Sequence, residues 1–175
     1  MYRVDLKQKF IGWRMIIGAN LVDFFSAGLA FYAYAVFFSF IQNEFSASRF
    51  LVSLTVSVTI LAAGIYSPLL GYVLDKFPIK RVLTVGAIIF GAGFILLSFT
   101  QSFFQFLLVY GIVIALGMVI FGNLSTSKLI ANWFNDKIGT ALGYASIGLS
   151  FSGVIIPPVA VFLISTFSWR GAYLI

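Results

Sequence analysis

The chain contains no cysteine and no histidine. Their absence excludes a disulfide framework, a Cys/His zinc site and an imidazole base within this segment. Charge is scarce as well: 9% of residues are Asp, Glu, Lys or Arg, against about 25% in a soluble domain. So few charges cannot cover a water-facing surface, and 61% of the 175 residues are hydrophobic. The composition is that of an integral membrane protein. No Gly-x-Gly-Asp and no phosphate-binding loop occur, and no second acid lies deep in an apolar run to pair with Asp23. That inventory argues against an intramembrane enzyme or a nucleotide-driven pump, and neither a metal nor a cofactor is expected.

What is abundant is aromatic and continuous apolar sequence. There are 21 Phe, 8 Tyr and 3 Trp, as expected for lipid-facing walls and interfacial belts. Five long apolar stretches run over 15–41, 50–74, 82–99, 103–127 and 138–164, and a sixth starts at 171–175. Each is near or above the ~20 residues that cross a bilayer core. The runs are continuous rather than of period two, which excludes the strands of a barrel. The links between them are short, which predicts one all-α bundle of antiparallel neighbours without a linker or second domain. The first run follows a basic segment and contains Ala33-Tyr34-Ala35, with the look of a signal-peptide cleavage site. It is much longer than a signal h-region of about 7–15 residues, so an uncleaved helix is the reading.

The net charge of +6 does not point to nucleic acid, because the basic residues sit in gaps between apolar runs instead of forming one face. With the N-terminus inside, the inner set is Arg3, Lys7, Lys9, Arg14, Lys76, Lys80, Arg81, Lys128 and Lys137. The outer set is Arg49 and Arg170. That bias predicts a cytoplasmic N-terminus in a plasma or inner membrane.

Between the second and third runs lies Gly71-Tyr72-Val73-Leu74-Asp75-Lys76-Phe77-Pro78-Ile79-Lys80-Arg81. It resembles the cytoplasmic signature of the major facilitator superfamily, G-x-x-x-D-[RK]-x-G-x-[RK]-[RK], and falls after the second helix, where that family carries it. Physically, Gly71 permits close approach to helix four or eleven. Asp75 can cap a helix or pair with a cation, while Lys76, Lys80 and Arg81 can bind carbonyls or lipid phosphates. The resemblance implies that this loop latches two transporter halves together. Pro78 stands where the family has glycine, which alters the turn and leaves the charges in place.

A second resemblance covers the later helices. Trp133-Phe134-Asn135-Asp136-Lys137-Ile138-Gly139-Thr140-Ala141-Leu142-Gly143, then Gly148, Gly153, Pro157-Pro158 and Ser168-Trp169-Arg170, is similar to the monocarboxylate-transporter and oxalate/formate-antiporter branch. The opening Gly12-Trp13-Arg14 fits its prokaryotic members, whereas the acidic-glycine-tryptophan opening of animal carriers is absent. Gly139 and Gly143 form a small-x-x-x-small packing pair. Pro157 and Pro158 are expected to kink or break the fifth helix near its outer third.

Asp23 is the one acid in the apolar body of a run. It lies nine residues beyond Arg14, about 13 Å along a helix. Aspartate at the bilayer centre costs about 2.5–3.5 kcal/mol. The roughly 13 Leu, Ile, Val and Phe of the first run offset this at about 0.3–0.6 kcal/mol each. Insertion therefore survives, provided that the acid faces protein or water. Asn20, Asp23, Ala27 and Tyr34 recur at helical intervals and are expected on one face. Asp23, with Asn20 and Tyr34 beside it, is the candidate for a coupling proton or for substrate; a structural partner such as Lys128 is the alternative.

The resemblance implies the N-terminal six-helix half of a twelve-helix facilitator fold, cut at the start of helix six. The implied function is secondary active transport by alternating access of a small organic anion, such as a monocarboxylate or dicarboxylate, by proton symport or anion exchange. The implied partners are membrane lipid, the substrate and a C-terminal half of the same transporter. A half-size bundle that dimerises, as a transporter or a scaffold, is the alternative.

Overall fold

The computed structural model describes residues 12–134 and 137–175. Arg3, Lys7, Lys9, Asn135 and Asp136 therefore lie outside the described residues. Among the described residues five helices are long and apolar enough to cross a membrane: α1 (Gly12–Glu44), α2 (Arg49–Lys76), α3 (Ile79–Ser98), α4 (Phe103–Trp133) and α5 (Ile138–Ala172). No strand occurs among the described residues. Burial runs opposite to that of a water-soluble bundle. Leu61, Ile65, Val154 and Phe162 are each more than 60% exposed, so the medium outside must itself be apolar.

The ends are set by short caps. Ser48 and Ser102 accept hydrogen bonds from the Leu51 and Gln105 amides and start α2 and α4. Pro78 begins α3 as its N-cap, at φ −59°, with its carbonyl taking the Arg81 amide at 2.9 Å. The proline found in place of glycine thus fits a turn compatible with its ring.

The short links suggest consecutive neighbours, and this holds for α3 and α4, whereas α1 barely touches α2 and α2 barely touches α3. α1 packs chiefly against α5 and α4, α2 against α4, and α3 against α4. At Gly117 in α4, an added Cβ would stand 2.6 Å from the Phe90 Cα, so α3 and α4 approach backbone to backbone. The main core combines Tyr34, Phe37, Phe90, Phe94, Phe106, Tyr110, Trp169 and Tyr173. A second cluster of Ile16, Ala19, Ile130, Phe134, Ala141 and Ala145 joins α1, α4 and α5 near the opposite end.

That opposite end holds Lys76 and Lys128 and is the basic end of the bundle. At the other end Arg170 ties three connections together. Its guanidinium donates to Glu44 at 2.6 Å and to the Thr100 carbonyl at 2.9 Å, and it lies over the Trp169 ring at 4.5 Å.

Several helices are irregular inside the bundle. α1 contains a π segment at Gly28–Ala33 and α4 another at Val109–Ile114. Tyrosine hydroxyls cover backbone carbonyls nearby: Tyr110 donates to Ala30 O and Tyr34 to Val52 O, both at 2.7 Å. The expected kink at Pro157-Pro158 is displaced. The backbone stays helical through both prolines, and the non-helical residue is Ser168 at φ 64° and ψ 169°. Neighbouring groups can satisfy carbonyls freed by proline in a membrane helix, whereas a serine in that conformation ends the ladder outright. A new helical turn starts at Trp169, two residues before the expected start at Gly171.

Gly117→Leu should lower stability by about 1–3 kcal/mol through overpacking. Gly91→Leu, where an added Cβ meets nothing within 4 Å, should leave it unchanged. Thermal unfolding of the two variants in detergent makes the comparison.

Candidate functional site: a carboxylate at the break in α4

Near its middle α4 comes apart. The helix stops at Ile120, passes through Phe121 and the extended Gly122, and restarts as Asn123–Trp133. In hydrocarbon an interrupted helix exposes backbone groups that water cannot reach. Ser125 answers for one of them, donating to the Ile120 carbonyl at 2.7 Å. The Gly122 carbonyl takes the Thr126 amide at 3.1 Å and restarts the ladder.

Asp23 of α1 lies against the first turn of the restarted segment. It is 2% exposed, and the Thr126 hydroxyl stands 3.0 and 3.2 Å from its two carboxylate oxygens. The first turn of a helix has free amides and the positive end of the dipole, which favours a negative charge. The same Thr126 hydroxyl is 3.0 Å from the Asn123 carbonyl. That second acceptor makes the pair compatible with either protonation state. An ionised Asp23 accepts from Thr126; a protonated Asp23 can donate to Thr126 Oγ1 while Thr126 donates to Asn123.

A cavity of about 260 Å³ opens beside the break. Asp23, Ser26, Ser67 and Asn123 form its polar lining, with apolar walls that include Phe31 and Met118. Ser26 also reaches the Met118 carbonyl at 3.5 Å. Water fills roughly 30 Å³ per molecule, so the space suits several waters or a small solute. Among the described residues no group of His, Cys, Asp and Glu comes together that could hold a metal ion.

Asn20 and Tyr34 are not on this cavity. Asn20 is bonded to the backbone of α5, and Tyr34 to that of α2. Tyr34 packs on the same neighbouring helix as Asp23, its ring against Phe106 and Tyr110 of α4, further along α1 than the cavity reaches. Ser26, Ser67, Asn123 and Thr126 take the places beside Asp23. Lys128 is not its partner either.

Lys128 pairs instead with Asp75, Nζ to Oδ1 at 2.8 Å, and ties the end of α4 to the end of α2. Both side chains are well exposed, so the pair is worth about 0–1 kcal/mol. Lys76 lies over the ring of Tyr72 at 4.2 Å and donates to its hydroxyl. Arg81 lines a groove between α2, α3 and α4. α4 does not approach Gly71: a Cβ there, or at Gly139 or Gly143, would meet nothing within 4 Å. The expected packing of the 139/143 pair is thus absent among the described residues, and in α5 it is Gly148 that meets the backbone of another helix closely.

A family profile described as Major Facilitator Superfamily matches residues 24–175. The chain belongs to the major facilitator superfamily. This makes it a multi-pass membrane protein of a transporter family. It is 29% identical over 168 residues to monocarboxylate transporter 4 of Mus musculus, covering 94% of this chain and 34% of that protein. It is 26% identical to monocarboxylate transporter 12 of Xenopus laevis over 164 residues, 94% of this chain and 35% of the relative. A bacterial relative, the uncharacterized MFS-type transporter YcxA of Bacillus subtilis (strain 168), is 25% identical over 133 residues, 76% of this chain and 33% of its own. The chain therefore spans about a third of the length of these relatives, and within the superfamily it is similar to the monocarboxylate-transporter branch.

Thr126→Val should strand the Asp23 carboxylate and cost about 1–3 kcal/mol. Asp23→Leu combined with Thr126→Val removes both polar partners and should recover most of that loss. A double-mutant cycle on unfolding in detergent measures it; additive losses would show that the two groups do not interact.

Proposed function

We propose that this chain is the N-terminal repeat of a secondary active transporter for a small organic anion, and that Asp23 carries the coupling proton. The observation that supports the proton role most is the placement of the carboxylate against a restarted helix and beside a cavity, with a hydroxyl that can serve both of its protonation states. Discontinuous helices at mid-membrane are where transporters of this kind bind ions and substrate. An intramembrane acid facing a cavity is a functional group by default.

The substrate class is drawn from relatives named as monocarboxylate transporters. Proton symport suits such a solute, since an anion and a proton together carry no net charge across the membrane; anion exchange is the other mode. A second repeat would supply the facing half of the transport path. Gly71, Gly139 and Gly143 leave backbone surfaces open on α2 and α5, which supports their use as contact lines for that repeat. Asp75 and Lys128, already paired within this chain, then form the base of the latch, with Lys76, Lys80 and Arg81 available to the partner half or to lipid phosphate. Orientation is set by the cations: the basic end faces the cytoplasm of a plasma or inner membrane, and the Arg170–Glu44 tie faces outward.

The test is uptake of labelled small organic acids by the full-length transporter in proteoliposomes, with and without an inward proton gradient. Asp23→Asn should abolish stimulation by the gradient while leaving exchange between two pools of the anion. Undiminished stimulation in that variant would remove Asp23 from the coupling role.

A further inference from the structure

α5 is interrupted once more, at Ser146, between the segments Ile138–Ala145 and Ile147–Ala172. The groups flanking the interruption have an unusual partner. The Tyr144 carbonyl accepts from Asn20 Nδ2 at 3.0 Å, and the Gly148 amide donates to Asn20 Oδ1 at 2.5 Å. Residues 144 and 148 are four apart, so their carbonyl and amide are the two ends of one ordinary helical hydrogen bond. The carboxamide of α1 occupies the place where that bond would close.

We propose that Asn20 is a positioning residue for transport: its carboxamide replaces one backbone rung of α5, holds the helix open at Ser146, and couples the α5 hinge to α1. The chemistry selects asparagine. A carboxamide presents one acceptor and one donor side by side, as a peptide group does, while aspartate lacks the donor and leucine has neither. The remaining Nδ2 proton is bound by the Ile16 carbonyl at 3.0 Å, which fixes the amide plane on its own helix. Gly148 permits the approach, since a Cβ there would stand 2.8 Å from the Asn20 carbonyl carbon and 2.9 Å from its Cα. A side chain inserted into the ladder is a recognised cause of a helix kink.

The arrangement has two satisfied states. With Asn20 inserted, α5 is interrupted and joined to α1. With Asn20 withdrawn, Gly148 can bond Tyr144 directly and α5 becomes continuous. No backbone group is left unpaired in either state, so the exchange is possible inside a bilayer. Asp23 is three residues further along α1, nearly one turn away. A change at the carboxylate and a change in the bend of α5 are therefore mechanically adjacent. The kinetic part of this inference rests on the transporter reading, whereas the bend itself does not.

The experiment uses full-length transporter with Asn20→Leu, with Gly148→Ala and with both. Spin labels at positions 140 and 154, both exposed, report the distance across Ser146. Each single variant should shift that distance toward the roughly 21 Å of a continuous helix. Each should also lower kcat at least tenfold, with KM changed less than threefold, and the double variant should be no worse than either single one. Gly148→Ala keeps the test open if Asn20→Leu fails to fold, because it expels the carboxamide without deleting it. An unchanged distance in a folded variant overturns the proposal. A shifted distance with native kcat overturns its role in transport, and losses that multiply in the double variant overturn the shared rung.

Discussion

A bilayer supplies no water to an interrupted helix, so each break in this bundle has to be covered by a side chain from within the protein. That requirement organises several of the polar contacts in the structure. Ser125 covers the carbonyl left at the end of the first part of α4. Tyr110 donates to the Ala30 carbonyl within the π segment of α1. Asn20 covers both sides of the gap in α5. These residues act as repair groups at interruptions, whereas others, such as Thr59 and Ser67, bond the backbone of their own continuous helix.

Asp23 stands apart from that set because it repairs no backbone group. Its burial would be costly without Thr126 and the first turn of the restarted helix. The break in α4 therefore has two consequences from one geometry: it costs a stretch of ladder, and it makes a site for a negative charge inside an apolar bundle. A cavity lies beside it where a solute or waters can meet the carboxylate. The Thr126 hydroxyl, shared between the acid and the Asn123 carbonyl, lets that site exist charged or neutral without moving a helix.

The two ends of the bundle are held differently. At the Glu44 end, Arg170 joins three connections in one cluster backed by the aromatic core around Trp169 and Tyr173. At the basic end, an exposed ion pair between Lys128 and Asp75 links α2 to α4. The backbone surfaces of Gly71, Gly139 and Gly143 remain open. One end is tied within the chain, while at the other, among the described residues, charges and glycine backbone surfaces stay exposed.

The apolar runs, the positions of the cations and the Gly71–Arg81 motif were enough to establish a membrane bundle and its family, because hydropathy and charge act over whole segments and survive changes in local packing. Asp23 was legible as a buried acid, because a lone carboxylate in such a run has to turn away from lipid toward protein. The sequence did not reveal that α5 runs helically through Pro157 and Pro158 and is interrupted at Ser146 and Ser168. Nor did it reveal that Tyr34 bonds the backbone of α2, or that Asn20 serves α5. Those outcomes depend on which neighbouring group satisfies a given carbonyl or amide. That is decided by contacts between residues about 100 positions apart, such as Thr126 with Asp23 and Gly148 with Asn20, and only the folded bundle brings them together.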